Sequence, residues 1–383
     1  MKTAAIISEY APFHYGHKYL IDQARAAGAT HILAVMSGSF TQRGDTAIYD
    51  KHTRAKTALE NGVDLVIELP ARYSLTSAAG FARGAVGIIN ALGCVNMLAF
   101  GSESGNIAAL KEASGAVEYT LHSDEFNQLV RKGFSYPSAL QKAMLKFYTD
   151  DVAELVASPN NTLAIEYLNA LDNLGSTIEP FTVRRFGAAH DSDEQDEFLS
   201  GSAIRKKIAA GEDCSKYAPV VNAPIADIAR LERAILAALR DLRPDDFDCI
   251  ADCAGGLGDR LYKAVRKGNS LSGIYFMTKT KRYTLARIRR AVLCGFLGIT
   301  NDISREKCAY IRVLGMNSCG REILSAANCS LPIDTSLKAL SKTSHEARRQ
   351  AEFEAHVTDI WSLALNEPLP CGADFTAKPI IIE

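Results

Sequence analysis

The chain has 383 residues, 47% hydrophobic and 23% charged, with 43 Lys and Arg against 44 Asp and Glu and a formal net charge of -1. This is the composition of an ordinary globular protein with material for a large core, divided into two or three domains. It excludes a globally basic nucleic-acid binder but not a local basic patch, and no run reaches the ~18 apolar residues of a membrane helix. The nine cysteines are scattered, form no CxxC pair and match no histidine spacing for zinc. They read as reduced thiols of a cytosolic protein, with no metal-ligand set. Lys2 leads straight into a strand, so no secretory leader is expected.

The apolar run Ala4–Ile7 predicts a buried parallel strand. It breaks at Glu9-Tyr10-Ala11-Pro12, and an apolar-periodic helix starts near His17. The order is therefore strand, turn, His-x-Gly-His, helix. A helix N-terminus with free N–H groups can hold phosphate, Gly16 lets phosphate approach the backbone, and His14 and His17 can donate to phosphoryl oxygens in a transfer reaction. Two cap histidines in a solvated turn would look the same locally. The position on the first strand-to-helix turn favours the functional reading.

A second strand is predicted at His31–Val35, then a polar loop over Ser39–Asp45 and a helix over Tyr49–Asn61 carrying Lys51, Arg54 and Lys56. These cations are either a solvated face or a cationic wall at the carboxyl end of strand two, where open parallel sheets bind ligands. Further strands follow at Asp64–Leu69 and Met97–Phe100, with a helix over Ser77–Leu92 between them. Strands alternating with helices at this spacing define an α/β fold with a parallel sheet. Residues 106–148 read as mostly helical. Asn160 or Asn161 is either an N-cap or a ligand contact on the next helix, and a strand is expected at Phe181–Arg184, leading through Arg184-Arg185 to His190-Asp191.

Ser200-Gly201-Ser202-Ala203-Ile204-Arg205 opens a helix predicted over Ala203–Ala210. Hydroxyls and an arginine at a helix start suit a triphosphate, although a serine cap with a surface arginine is possible too. Beyond Val220 the chain reads as mainly helical, with one short strand at Ala309–Leu314. Lys279, Lys281, Arg282, Arg287, Arg289 and Arg290 form a basic segment around Tyr283. With Ile288, Val292 and Phe296 inward, Arg287 and Arg290 are expected to face outward, either as a solvated face or as contacts to RNA.

The run of motifs EYAPFHYGH, MSGSFTQRGD, DLVIELP, FGSE, SPNNTLAIEYL, SGSAIR and KTKRYTLARIRR resembles the bacterial tRNA(Met) cytidine acetate ligases over nearly the whole chain. These belong to the HIGH-motif nucleotidyltransferase superfamily. The family commonly has asparagine where this chain has Ala11 and Tyr15, so two side-chain contacts are missing, and Ala189 precedes His190 where tyrosine is usual. The resemblance implies a Rossmann-like parallel sheet with a mainly α-helical C-terminal region. It divides the chain into a catalytic domain over 1–215, with a helical insertion near 106–150, and a helical domain over 216–383.

It also implies activation of acetate by ATP as acetyl-adenylate. Acetyl then passes to N4 of the wobble cytidine of elongator tRNA(Met). His14, His17 and Arg205 would be catalytic. Contacts to ATP would come from Ile7, Ser8, Glu9, Tyr10, Phe13, His14, Gly16, His17, Leu20, Gly101, Asn160, Arg184, Arg185, Ser202 and Arg205. Contacts to tRNA would come from Lys279, Lys281, Arg282, Arg287 and Arg290. Magnesium is expected with ATP, though no carboxylate cage is visible. Two other readings stay open: a small-molecule nucleotidyltransferase, and a non-catalytic RNA-binding protein on that scaffold.

Overall fold

The computed structural model describes residues 1–185 and 199–383. Its centre is an eight-stranded sheet. The strands are β1 (Thr3–Ser8), β2 (His31–Ser37), β5 (Leu65–Leu69), β6 (Met97–Ser102), β7 (Glu179–Arg184), β8 (Ile311–Met316), β9 (Ile333–Asp334) and β10 (Ile380–Ile381). The order is β10-β8-β5-β2-β1-β6-β7, with β9 beside β8. From β5 to β7 every pairing is parallel. Parallel strands need both faces covered, which is why β2 and β5 are apolar and buried almost throughout. One face packs on the helices Ala78–Leu92, Ile107–Leu121 and Pro159–Asn173, the other on Tyr15–Ala26 and Lys51–Glu60. The succession reverses direction between β1 and β6, and the crevice at such a reversal is where open α/β sheets bind ligands.

The predicted strands and helices up to residue 184 all appear, with ends shifted by a few residues. The Ser39–Asp45 loop is an exception. It contains a hairpin, β3 (Phe40–Thr41) and β4 (Asp45–Thr46). Gly44 takes a positive φ of 74° at its tip, a conformation glycine adopts without strain. The predicted strand at Ala309–Leu314 is β8, which pairs antiparallel with β5. β8 and β10 thus bring residues beyond 300 into the same sheet. The helices Glu232–Asp241, Leu257–Lys267, Leu271–Thr278, Leu285–Leu297 and the end of His345–Ser362 enclose a second core that contains Phe247, Leu293 and Trp361.

The cationic wall is not formed. Lys51 Nζ lies 2.6 Å from Glu68 Oε1 and 2.6 Å from Asp374 Oδ2. Arg312, on β8, reaches Glu68 Oε2 at 3.0 Å and Asp374 Oδ1 at 2.8 Å. All four side chains are 3% exposed or less. Two cations and two anions therefore cancel inside the fold, where any one alone would carry a large desolvation cost. Arg54 is buried as well. It donates to the carbonyls of Tyr49 at 3.0 Å, Glu9 at 2.7 Å, Ser37 at 2.9 Å and Gly38. It ties the ends of β1 and β2 together beneath the ligand crevice. Lys56 alone is exposed, 3.8 Å from Glu60.

Candidate active site

A cleft of about 230 Å³ opens at the carboxyl end of β1, with Arg185 at the end of β7 on its wall. Its floor is the first strand-to-helix turn, Ile7 to Pro12, with His14 and His17. Gln42 and Arg43 on the hairpin, Asn160, Tyr167 and Arg185, and Ser200, Gly201, Ser202 and Arg205 complete the wall. The two motifs, nearly 190 residues apart in sequence, thus face one cavity. Tyr10 has a positive φ of 44°, unusual for a residue with a side chain, where the turn reverses.

The histidines form one unit. Their rings stack with centroids 3.6 Å apart. Nδ1 of His17 accepts the backbone N–H of His14 at 3.1 Å, closing a capping box at the start of the helix Tyr15–Ala26. With Nδ1 accepting, Nε2 of neutral His17 carries the proton and is the donor left for a ligand. Burial, and then the positive charge of Arg185, lowers the His14 pKa from 6.5 to about 3. Burial, His14 and Arg185 also hold His17 well below its usual value. Both rings are therefore neutral donors at neutral pH, and positive charge in the cleft comes from Arg43, Arg185 and Arg205.

A titration follows from these shifts. The folded pKa values lie below the unfolded one, so the unfolded chain takes up protons first as pH falls. The stability His14 contributes is complete above about pH 6.5 and is lost as pH falls toward 3, and His17 acts in the same direction. The imidazole C–H resonances of His14 and His17 should stay at their neutral positions from pH 8 down to about pH 5. A midpoint near 6.5 in either ring would contradict this placement.

Arg205 extends from the helix Gly201–Ala209 across to the first turn, donating to the Ala11 carbonyl at 2.7 Å and to Ser202 Oγ at 3.1 Å. Ser200 caps the helix, accepting from Ala203 N–H at 3.2 Å. Arg205→Ala is expected to lower kcat of nucleotide activation by about 10- to 100-fold, the range of a charge-assisted hydrogen bond of ~1.5–3 kcal/mol. Adenosine affinity should change less. A loss confined to ATP affinity would assign Arg205 to ground-state binding.

Of the two asparagines, Asn160 faces the cleft, with Nδ2 donating to Glu103 Oε1 at 2.7 Å. Asn161 is buried and its Oδ1 accepts from Ser104 N–H at 3.0 Å. Neither is the N-cap, which is Ser158. The Glu103 carboxylate accepts from both backbone amides, Asn160 N and Asn161 N, at 3.2 and 2.7 Å. Phe13, Gly16 and Leu20 sit behind the wall: Phe13 packs on Tyr10 and His17 with ring centroids 5.0 and 5.5 Å away. Gly101 lies under Arg185, whose Cγ would be 3.0 Å from an added Cβ. Arg184 is exposed, packs against Gly105 and turns from the cleft. His190 and Asp191 lie outside the described residues. Gln42, Arg43, Phe81, Leu163 and Tyr167 also line the cleft and are not among the expected site residues; the first two ride on a hairpin whose polar sequence predicts only a loop.

The basic segment differs from expectation. Arg290 is 11% exposed, with Nη2 2.7 Å from Asp252 Oδ2. Arg287 is 24% exposed, 3.5 Å from Asp252 and donating to the carbonyls of Asp252 and Ala254 at 3.0 and 2.7 Å. Asp252, held at φ 67°, draws both arginines inward. Tyr283 is buried, its hydroxyl donating to the Gly255 carbonyl at 2.6 Å, so it is not a platform for a base. Lys279 and Lys281 remain exposed, and Arg282 lies partly exposed over the Tyr283 ring.

A parallel sheet with His-x-Gly-His on its first turn, and a serine- and arginine-bearing helix facing it, defines a HIGH nucleotidyl transferase; the family model of that description matches residues 1–371. Over its full length the chain is 34% identical to the tRNA(Met) cytidine acetate ligase of Clostridium perfringens, covering all of both chains. With the protein of that name from Fervidobacterium nodosum it shares 34% identity over 91% of this chain and 87% of the relative. Among solved structures, Thermotoga maritima TmcAL bound with alpha-thio ATP superposes with a TM-score of 0.89 at 29% identity, covering all of both chains. The chain belongs to the tRNA(Met) cytidine acetate ligase family. Among the described residues, no helix is long and apolar enough to cross a membrane.

Proposed function

We propose that this protein is an ATP-dependent ligase that acetylates N4 of the wobble cytidine of elongator tRNA(Met) in the cytoplasm. The observation that carries the reading is the convergence of His14, His17, Ser202 and Arg205 on one cleft, in a chain that matches the ligases end to end. An acetate oxygen attacks the α-phosphorus of ATP. The bond to the β-phosphate oxygen breaks and pyrophosphate leaves, giving acetyl-adenylate. The exocyclic amine of cytidine then attacks the acetyl carbonyl, loses a proton, and expels AMP. No covalent enzyme intermediate is required.

Neutral His17 donates through Nε2 to the α-phosphoryl oxygens as charge builds on them, with His14 stacked against it. Arg205, Arg43 and Ser202 hold the departing pyrophosphate. Glu9 is the one carboxylate among the described lining residues, and its Oε1 already accepts from Gln42 N–H at 2.6 Å. An accompanying magnesium ion would therefore be held mostly by the phosphates, with Glu9 in reach, and would neutralise phosphate charge. The test is nucleoside mass spectrometry of tRNA incubated with the protein, ATP and labelled acetate. Labelled N4-acetylcytidine is expected; its absence with active protein would refute the assignment.

For tRNA we propose a division of labour. Residues 1–215 activate acetate, and 216–383 supply the RNA contact through Lys279, Lys281 and Arg282. Lys281 and Arg282 line a groove of about 550 Å³ with Arg260 and Lys263, beside Asp259 and facing Gly133 of the helical insertion. Replacing Lys281 and Arg282 with glutamine should weaken tRNA binding and flatten its salt dependence by roughly two, one per phosphate contact. Pyrophosphate release without tRNA should be unchanged. A salt titration by filter binding checks this, and an unaltered slope would remove the segment from the interface.

A further inference from the structure

The hairpin β3–β4 has two residues in each strand, too few for a two-stranded ribbon to hold its own shape. Its base is seated by Phe40, fully buried in the core of the C-terminal helices. Its tip, which carries Gln42 and Arg43 into the cleft, is gripped separately. Gly44 lies against the backbone of the helix Leu285–Leu297: an added Cβ would be 2.5 Å from Arg289 Cβ and 2.7 Å from Arg290 N. Arg290 Nη1 donates to the Gln42 carbonyl at 3.2 Å. On its other side, Gln42 N–H donates to Glu9 at 2.6 Å. One residue of the tip is thus held by the C-terminal region through its carbonyl and by the first turn through its amide.

Arg290 is itself fixed. Nε and Nη2 both donate to Asp252 Oδ2, at 3.0 and 2.7 Å. With Nη1 on Gln42, each of the three guanidinium nitrogens has a partner within the fold, so the group is held in place between Asp252 and the hairpin tip. Next to Gln42, Arg43 Nη1 lies 3.5 Å from Ser202 Oγ, the hydroxyl that Arg205 also reaches at 3.1 Å. Two guanidinium groups converging on one hydroxyl suit a polyanion.

We propose that Arg290, locked by Asp252, is a positioning residue for the activation step: it sets the hairpin tip so that Arg43 meets the triphosphate of ATP beside Arg205. The inference rests on the reading of the cleft as the ATP site. It moves Arg290 from RNA recognition to the chemistry of the other half of the chain. An error of about 1 Å in a group that contacts reacting atoms can cost about 100-fold, and Arg43 rides on a tip that Arg290 holds.

The test is acetate-dependent exchange of pyrophosphate into ATP by the full chain without tRNA, beside calorimetric AMP binding and thermal melts. Arg290→Gln is expected to lower kcat about tenfold or more while AMP affinity stays within about twofold. Arg290→Lys, which keeps the charge but lacks the fork that spans Asp252 and Gln42, should not rescue it. If Arg290 acts through Arg43, adding Arg290→Gln to Arg43→Ala should slow the reaction by no more than about twofold beyond Arg43→Ala alone. Multiplying losses, or normal exchange by folded Arg290→Gln, would overturn the proposal. Should Arg290→Gln fail to fold, Gly44→Ala keeps both side chains of the Arg290–Asp252 pair and pushes the tip off the same helix by crowding its backbone at Arg289 and Arg290. The same loss of kcat is then expected, and normal exchange would again overturn it. Wild-type protein without acetate-dependent exchange would instead overturn the ATP reading on which the proposal depends.

Discussion

His17→Ala is expected to slow acetate-dependent pyrophosphate release by about 100- to 1,000-fold, the cost of losing a donor aimed at a developing oxyanion. The neutral ring, its Nδ1 engaged by His14 N–H, offers Nε2–H from a half-buried place on the cleft, where a hydrogen bond is stronger than in water. Alanine also removes half of the capping box, which costs about 1 kcal/mol of stability. The variant should therefore fold, melting slightly lower, and bind AMP. Exchange activity near the wild-type rate in the folded variant would mean that His17 only caps its helix.

The second large effect is on stability. Arg312→Met should lower the unfolding free energy by about 3–5 kcal/mol, because it leaves Glu68 and Asp374 facing Lys51 alone in the interior. Arg312 is 2% exposed, and the carboxylates it would orphan, Glu68 and Asp374, are 3% and 1% exposed. Urea unfolding followed by circular dichroism measures it. A loss below about 1 kcal/mol would show that the cluster relaxes or hydrates easily. Activation of ATP by the remaining folded protein should be little changed, since none of the four residues lines the cleft.

Much of the cleft was legible in the sequence because its signals are local. Central parallel strands announce themselves as apolar runs such as HILAV and LVIEL, and His-x-Gly-His and SGSAIR each sit at a helix start. What was not legible depends on partners distant in sequence. Periodicity correctly put Ile288 and Val292 inside, but it assigned Arg287 and Arg290 to solvent without knowing that Asp252 stood opposite. Lys51 and Arg54 read equally as a solvated face or a ligand wall, and they are neither: Glu68, Asp374 and a set of strand-end carbonyls claim them. A strand is predicted at Ala309–Leu314 and found, shifted by two residues, at Ile311–Met316. Its partner, β5, lies about 250 residues earlier, and no property of the segment itself names that partner.

The pairing of β8 with β5 bears on how the chain is made. A ribosome releases β5 long before residue 311 exists, so one margin of the nascent sheet, the apolar LVIEL, waits open while the helical half is synthesised. Exposed strand margins of this kind seed association between neighbouring chains. The same delay keeps Lys51 and Glu68 from their two later partners, Arg312 and Asp374, until synthesis nears residue 374. During translation the amino-terminal half is thus a species with an uncovered edge and an incomplete charge cluster, suited to chaperone capture and early protease attack.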